Sequence, residues 1–254
     1  MKTQGNTVLI TGGATGFGFS LAKTLINRGN TVIICGRRQS KLREAKDMLP
    51  QLHIRVCDVS DERERELLFL WVKGGFNGIN VLVNNAAVNA GAPRMVNLKK
   101  GIQDLSGSEN EIKTNLVAPI RLSAYFIPLL LEKRESAIIN VTSGLAFVPV
   151  ATMPVYCATK AALHSFTVSL RFQLRNTSIK VFEIMPPLMA TELGKVVHLD
   201  GSVESRGIPP SEAAEAVMAA LENDQYEIPV GEAKKLVEGA LTNPKRTFDN
   251  INQY

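Results

Sequence analysis

Short apolar runs rich in β-branched residues alternate along this chain with longer stretches in which apolar residues recur at helical spacing. Segments 7–11, 31–35, 53–57, 80–83, 137–141, 179–183 and 226–229 read as strands. Segments 17–28, 40–48, 61–73, 109–133, 155–175 and 211–222 read as helices. The strands are continuously apolar rather than alternating, the pattern of a parallel sheet covered by helices on both faces. Right-handed crossovers then predict an α/β Rossmann-type fold, with a doubly wound parallel sheet of about seven strands. No linker or longer repeat interrupts the pattern, so residues 1–254 are expected to form a single domain. Segments 89–108 and 188–210 are irregular and follow the fourth and sixth strands, on the sheet edge where such folds bind ligands. The second is long enough to be a substrate loop.

Composition narrows the class further. The chain has 254 residues, 45% of them hydrophobic and 21% charged, as expected for a packed globular protein. The net charge of +5 is scattered, with no basic run longer than two residues, so no nucleic-acid partner is expected. The longest uninterrupted apolar run, residues 124–131, is too short to cross a membrane, and the N-terminus lacks a secretory pattern. A cytoplasmic location follows as the expectation. Cys35, Cys57 and Cys157 are odd in number and unpaired in spacing, and His53, His164 and His198 lie far apart. Neither a disulfide framework nor a metal site is expected.

Candidate chemistry begins at Thr11-Gly12-Gly13-Ala14-Thr15-Gly16-Phe17-Gly18, between the first strand and the first helix. Glycines there let backbone N–H groups approach a pyrophosphate at a helix N-terminus. The second strand ends in Cys35-Gly36-Arg37-Arg38. A free ribose 2′-hydroxyl calls for an acidic residue near this point, whereas guanidinium groups suit a 2′-phosphate. NADP(H) is therefore expected in preference to NAD(H). Tyr156 and Lys160 share one face of a predicted helix, and a nearby ammonium would bring the phenol toward the working pH range. Ser143 follows the fifth strand, where its hydroxyl could stabilise a reacting carbonyl. Asn115 lies four residues before Pro119, which has no N–H, so the Asn115 carbonyl loses its helical donor and could hold water.

With these residues in view, the chain resembles the short-chain dehydrogenase/reductase family. The resemblance rests on 11–18, Cys57-Asp58-Val59, Asn84-Asn85-Ala86-Ala87, Asn115, Ser143, Tyr156-xxx-Lys160 and 186–191. Segments 141–147, 154–161, 186–188 and 226–231 look closer still to its DltE-type oxidoreductase branch. The resemblance implies an NADP(H)-dependent hydride transfer to a small-molecule carbonyl or from an alcohol. Tyr156 would be the general acid/base, and Lys160 would lower its pKa and bind the nicotinamide ribose. Ser143 would orient the carbonyl, and Asn115 would anchor a water relay. Gly12, Ala14, Thr15, Gly16, Phe17 and Gly18 would cradle the phosphates, and Arg37 and Arg38 the 2′-phosphate. Asp58, Val59, Asn84 and Ala86 would line the adenosine side, while Pro186, Leu188 and Thr191 would face the nicotinamide.

Two positions depart from the family pattern. Phe17 replaces an aliphatic residue between the last glycines, and Pro187 stands where glycine is common, removing a backbone donor. The resemblance also implies a homodimer or homotetramer formed through helices 109–133 and 155–175, with Phe126, Leu129, Leu130, Phe166 and Phe172 available as apolar area. Phe147, Val148, Val150 and Met153 suggest an apolar substrate wall, and Cys157 reads as a buried small residue. A non-catalytic NADP(H)-binding sensor on the same fold is the alternative reading. A nucleotide-sugar epimerase also uses Tyr-xxx-Lys, but the 32 residues after Glu222 leave little room for its larger C-terminal region.

Overall fold

The computed structural model describes residues 1–89, 96–101, 105, 107–197, 203–205 and 207–253. Seven parallel strands form one sheet in the order β3-β2-β1-β4-β5-β6-β9. They are β1 Thr7–Thr11, β2 Thr31–Gly36, β3 His53–Val56, β4 Ile79–Asn84, β5 Ser136–Val141, β6 Ile179–Met185 and β9 Glu227–Pro229. The strands are three to seven residues long, and the central ones are rich in Val and Ile, whose branched side chains suit a pleated surface buried on both sides. Alternate residues feed two separate cores. Val8, Ile10, Val32 and Ile34 face α1 Gly16–Asn27, α2 Gln39–Met48 and α7 Pro210–Glu222. Leu9, Ile33, Leu82 and Ile138 face α3 Glu62–Gly75, α5 Ala118–Leu131 and α6 Pro154–Leu174. This is the doubly wound α/β arrangement that the strand pattern predicts.

The strand order reverses between β1 and β4, and such a reversal opens a crevice at the carboxyl ends of those strands. A small antiparallel hairpin, β7 Lys195–Val197 and β8 Val203–Ser205, rises from the segment after β6. The neck of that segment is tied by the Ile208 N–H donating to the Leu188 carbonyl and the Ala190 N–H donating to the Ile208 carbonyl, at 3.2 and 3.1 Å.

Two expectations change. The single helix expected over 109–133 is instead α4 Ser108–Ile112, a π-helical turn Lys113–Val117, and α5. Pro119 removes a donor from the ordinary i+4 ladder, and a widened turn is one way a helix accommodates that loss. The continuous stretch Ser108–Leu131 is long and apolar enough by composition to cross a membrane. However, its Leu122, Phe126 and Leu130 are buried against the sheet, as in a core helix. The second change is at the C-terminus. Residues after β9 fold into α8 Ala233–Thr242 and α9 Pro244–Ile251, which the apolar pattern did not reveal.

Candidate active site

A cleft of about 920 Å³ occupies the crevice at the β1–β4 reversal. Its floor is the turn between β1 and α1, which is bound tightly to the segment after β4. The Thr11 hydroxyl accepts from the backbone N–H groups of Asn85 and Ala86, both at 3.0 Å. Asn85 Nδ2 returns two bonds, to the carbonyls of Thr11 (2.9 Å) and Gly12 (3.1 Å). A Cβ on Gly12 would stand 2.9 Å from Ala86 Cα, and one on Gly18 only 2.5 Å from the Gly12 carbonyl. Side chains are therefore excluded from both positions by backbone. Thr15 caps α1 without a side-chain bond to it, so the first-turn N–H groups remain for an anion. A glycine-lined helix N-terminus of this shape fits a dinucleotide pyrophosphate, and Gly12, Ala14, Thr15, Gly16, Phe17 and Gly18 all line the cleft.

Arg37, Arg38, Asp58, Val59 and Ala86 line the same cleft at its β2 side. Both arginines already have carboxylates nearby. Arg37 Nη1 lies 3.9 Å from Asp58 Oδ2, and Arg38 pairs with Glu192 at 2.7 Å while donating to the Thr15 hydroxyl at 3.3 Å. Glu192 belongs to the segment that follows β6, so this pair spans the cleft mouth. Pro186, Leu188 and Thr191 line the cleft from that segment.

Ser143, Tyr156 and Lys160 form the inner wall. Ser143 leaves the C-terminal end of β5, and its hydroxyl accepts from the Leu145 N–H at 3.1 Å. That leaves the hydroxyl proton free to donate, and the Ser143 hydroxyl acts on the Tyr156 phenol in the sense that favours its ionised form. Lys160 lies one turn along α6 from Tyr156, its Nζ 5.7 Å from the centre of the phenol ring. The ammonium is buried and donates to the Val141 carbonyl at 2.8 Å.

The electrostatics differ from the sequence expectation. Burial pushes the Tyr156 phenol well above its ordinary value, with Cys157 and Glu111 adding to the rise and the Ser143 hydroxyl opposing it. Burial also pushes Lys160 down to about 8, against the pull of Glu111. Desolvation therefore outweighs the expected lowering of Tyr156 by Lys160, because both groups lose water and the ammonium is turned toward Val141. At neutral pH the phenol is a held acid rather than a phenolate. Burial raises the Cys157 thiol too, which suits its reading as a packed, unreactive residue.

Two of the expected cofactor and catalytic residues lie off the cleft. Asn84 is buried between Asn140 Oδ1 (2.8 Å) and the Ser123 hydroxyl (3.3 Å), in the sheet interior. Asn115 sits in the π turn, where its amide is held by Val88. It accepts from the Val88 N–H and donates to the Val88 carbonyl, both at 2.8 Å, with a further bond to Thr159 at 3.3 Å. Its side chain therefore fixes the segment after β4 rather than facing the cleft.

The C-terminal segment supplies wall residues that no motif announced: Glu232 just before α8, Ala233, Lys235 and Leu236 from α8, and Ile251 from α9. Asn252 fastens α9 to the loop before α6, accepting from Ala151 N–H at 2.6 Å and donating to the Pro149 carbonyl at 3.0 Å. Val150 and Met153 of that loop line the cleft, as the sequence suggests, whereas Phe147 and Val148 stand outside its lining. Of the expected substrate-facing segments, residues 90–95, 102–104, 106, 198–202 and 206 lie outside the described residues.

The model of short chain dehydrogenases matches residues 6–200, which carry the glycine turn, Ser143, Tyr156 and Lys160. The chain belongs to the short-chain dehydrogenase family. It is 44% identical to the oxidoreductase DltE of Bacillus subtilis, over 99% of this chain and 98% of that protein. It is 33% identical to the NADP-dependent 3-hydroxy acid dehydrogenase YdfG of Escherichia coli, over 83% of this chain and 86% of that one. A short chain dehydrogenase from Burkholderia cenocepacia, solved in complex with NADP, superposes with a TM-score of 0.83 at 25% identity, with full coverage of both chains. The family assignment makes the chain an oxidoreductase of Rossmann fold, close to DltE.

Proposed function

We propose that this short-chain dehydrogenase is an NADP(H)-dependent oxidoreductase acting on a small-molecule carbonyl or alcohol, with Tyr156 as general acid/base. The observation that carries the reading is that Ser143, Tyr156 and the buried Lys160 share one wall of a cleft floored by the glycine turn. The NADP-dependent YdfG and the NADP-bound Burkholderia structure support the choice of cofactor.

In this reading, Tyr156 gives its phenolic proton to the carbonyl oxygen while Ser143 donates a hydrogen bond to the same oxygen. A bound nicotinamide supplies the hydride. Lys160, held by the Val141 carbonyl, would offer its remaining N–H donors to the nicotinamide ribose. Asn115 holds Val88 in place, and its main-chain carbonyl, which loses its i+4 donor at Pro119, would be the site for a relay water. Asp58, Val59 and Ala86 line the adenosine end, with Asn84 supporting β4 from inside. Residues 188–210 act as the substrate loop of one domain spanning 1–254.

Arg37 and Arg38, now beside Asp58 and Glu192, would hold the 2′-phosphate by charge-assisted hydrogen bonds. Replacing both with Ala is expected to weaken NADPH binding about ten- to a hundredfold, the worth of a charge-assisted contact, and to leave NADH within about twofold. Fluorescence titration of both cofactors checks this, and equal losses for the two would exclude the 2′-phosphate role.

The wall formed by Leu236 and Ile251 sets the room at the substrate end. Ile251→Ala is expected to shift kcat/KM about tenfold toward a bulkier aldehyde over a small one, with NADPH affinity unchanged. A profile identical to wild type would place α9 outside the substrate pocket.

Exposed Phe172 and Val168 on α6 and Leu131 on α5 support association into a homodimer or homotetramer through these helices. Phe126 and Leu130, by contrast, are spent in the core. Three buried free cysteines support a reducing, cytoplasmic setting. The deciding experiment is carbonyl-dependent NADPH oxidation over aldehydes, ketones and 3-oxoacyl esters, beside NADH. Turnover establishes the reading, whereas tight NADPH binding without turnover on the panel favours a non-catalytic sensor.

A further inference from the structure

A fully buried carboxylate lies directly behind the Ser143 strand end, and the proposed chemistry does not use it. Glu183 is in the middle of β6, opposite Asn140 of β5, with its side chain wholly shielded from water. It accepts from the Thr142 hydroxyl at 2.6 Å, and Thr142 immediately precedes Ser143. The His164 ring nitrogen Nδ1 meets both carboxylate oxygens, at 2.8 and 3.1 Å. His164 stands one turn beyond Lys160 and two beyond Tyr156 on α6. Its ring packs on Phe147, with centroids 4.5 Å apart, just past the short helical turn Gly144–Ala146.

The segment that carries Ser143 is thus gripped on both sides. Thr142 ties its start to Glu183, and Phe147 leans on His164 at its end. Glu183 and His164 in turn join β6 to the helix bearing Tyr156. A buried carboxylate is costly unless it is hydrogen-bonded, and here its donors come from the two elements whose alignment sets the Ser143–Tyr156 distance.

We propose that Thr142, Glu183 and His164 are positioning residues that hold the Ser143 hydroxyl in register with the Tyr156 phenol. This rests on the oxidoreductase reading above and extends it to Glu183 and His164, which lie outside the cleft lining, and to Thr142, whose hydroxyl is turned to Glu183. His164 is raised above its ordinary pKa, first by its bond to Glu183, then opposed by burial. Glu227 of β9 also raises it and Arg171 of α6 lowers it. Arg171 is itself paired with Glu227 at 3.1 Å and donates to the Val181 and Tyr226 carbonyls. The contact therefore keeps a donor on Glu183 through neutral pH, either as imidazolium or as the neutral Nδ1–H form.

A double-mutant cycle tests the proposal. Thr142→Val and His164→Ala are each expected to lower kcat about tenfold, with the NADPH dissociation constant unchanged as the check on folding. In a Ser143→Ala background the same two substitutions should lose nearly all of that effect, because the hydroxyl they position is gone. His164→Asn, which keeps a donor near the Nδ1 position, should recover most of the activity. In an NMR titration, Glu183→Gln should bring the His164 midpoint down from its raised value. Losses that add in full to that of Ser143→Ala, in an active wild type, would overturn the positioning role alone. A wild type with no turnover would overturn the oxidoreductase reading, and this proposal with it.

Discussion

Tyr156→Phe is expected to lower kcat/KM for carbonyl reduction by about 10²–10⁴-fold, the usual contribution of a positioned acid. NADPH affinity should be unchanged. The substitution removes one hydroxyl from a buried ring and leaves the glycine turn, the arginines and Lys160 as they are. Among the described residues, only the interaction of the phenol with the Ser143 hydroxyl is lost from the resting protein. The pH dependence carries a second signature of the same group. Because burial holds the phenol protonated, carbonyl reduction should proceed without an alkaline requirement across neutral pH. Alcohol oxidation needs the phenolate, so its rate should climb about tenfold per pH unit between pH 6 and 8. Steady-state rates in both directions, for wild type and Tyr156→Phe, check this. A variant with wild-type rates would remove Tyr156 from the chemistry, and a flat oxidation profile would remove its raised pKa.

Lys160→Met should make the protein more stable and inactive at once. Lys160 is buried with a single protein acceptor within reach of Nζ among the described bonds, the Val141 carbonyl. Its fall from the ordinary 10.5 to about 8 corresponds to a burial penalty of about 3 kcal/mol. Losing the Val141 bond returns about 1 kcal/mol of that, so a net gain of about 2 kcal/mol is expected. For a chain of this length that is a rise of about 4–8 °C in Tm. The sign follows from proton binding. Between pH 8 and 10.5 the unfolded chain holds a proton that the folded one has released, so wild-type stability rises with pH across that window. Below about pH 8 the penalty is complete; above 10.5 it is gone. Lys160→Met should lack this rise. Calorimetry at pH 7 and pH 10 reads both effects, and a destabilised variant at pH 7 would mean that the ammonium is held by more than it loses. Turnover should fall together with the gain in stability, a trade common where a site keeps a strained or desolvated group.

How far the site could be read from the chain depended on the range of the signal. The glycine turn and the Tyr156–Lys160 pair are local: one joins a strand to a helix, the other spans one helical turn, and both line the cleft in the structure. Asn84 and Asn115 carried the same kind of motif, but their amides are taken up by partners far along the chain, Asn140 and Val88. Nothing near either residue in sequence announces that partner. The Thr142–Glu183–His164 cluster is invisible for the same reason, since its members come from three separate elements. The C-terminal wall was missed because α9 is largely polar and its contribution narrows to Ile251 and the Asn252 clamp.

Apolar periodicity and turn chemistry by themselves determined the parallel sheet, its alternation with helices, and the place of the phosphate-binding turn. These are consequences of backbone geometry repeated every two or 3.6 residues. Tertiary structure alone decided which polar residues face the cleft and which brace it. It also decided that desolvation, rather than the neighbouring charge, governs Tyr156 and Lys160. Burial is a property of everything packed around a residue, and a sequence window holds only a small part of that surrounding.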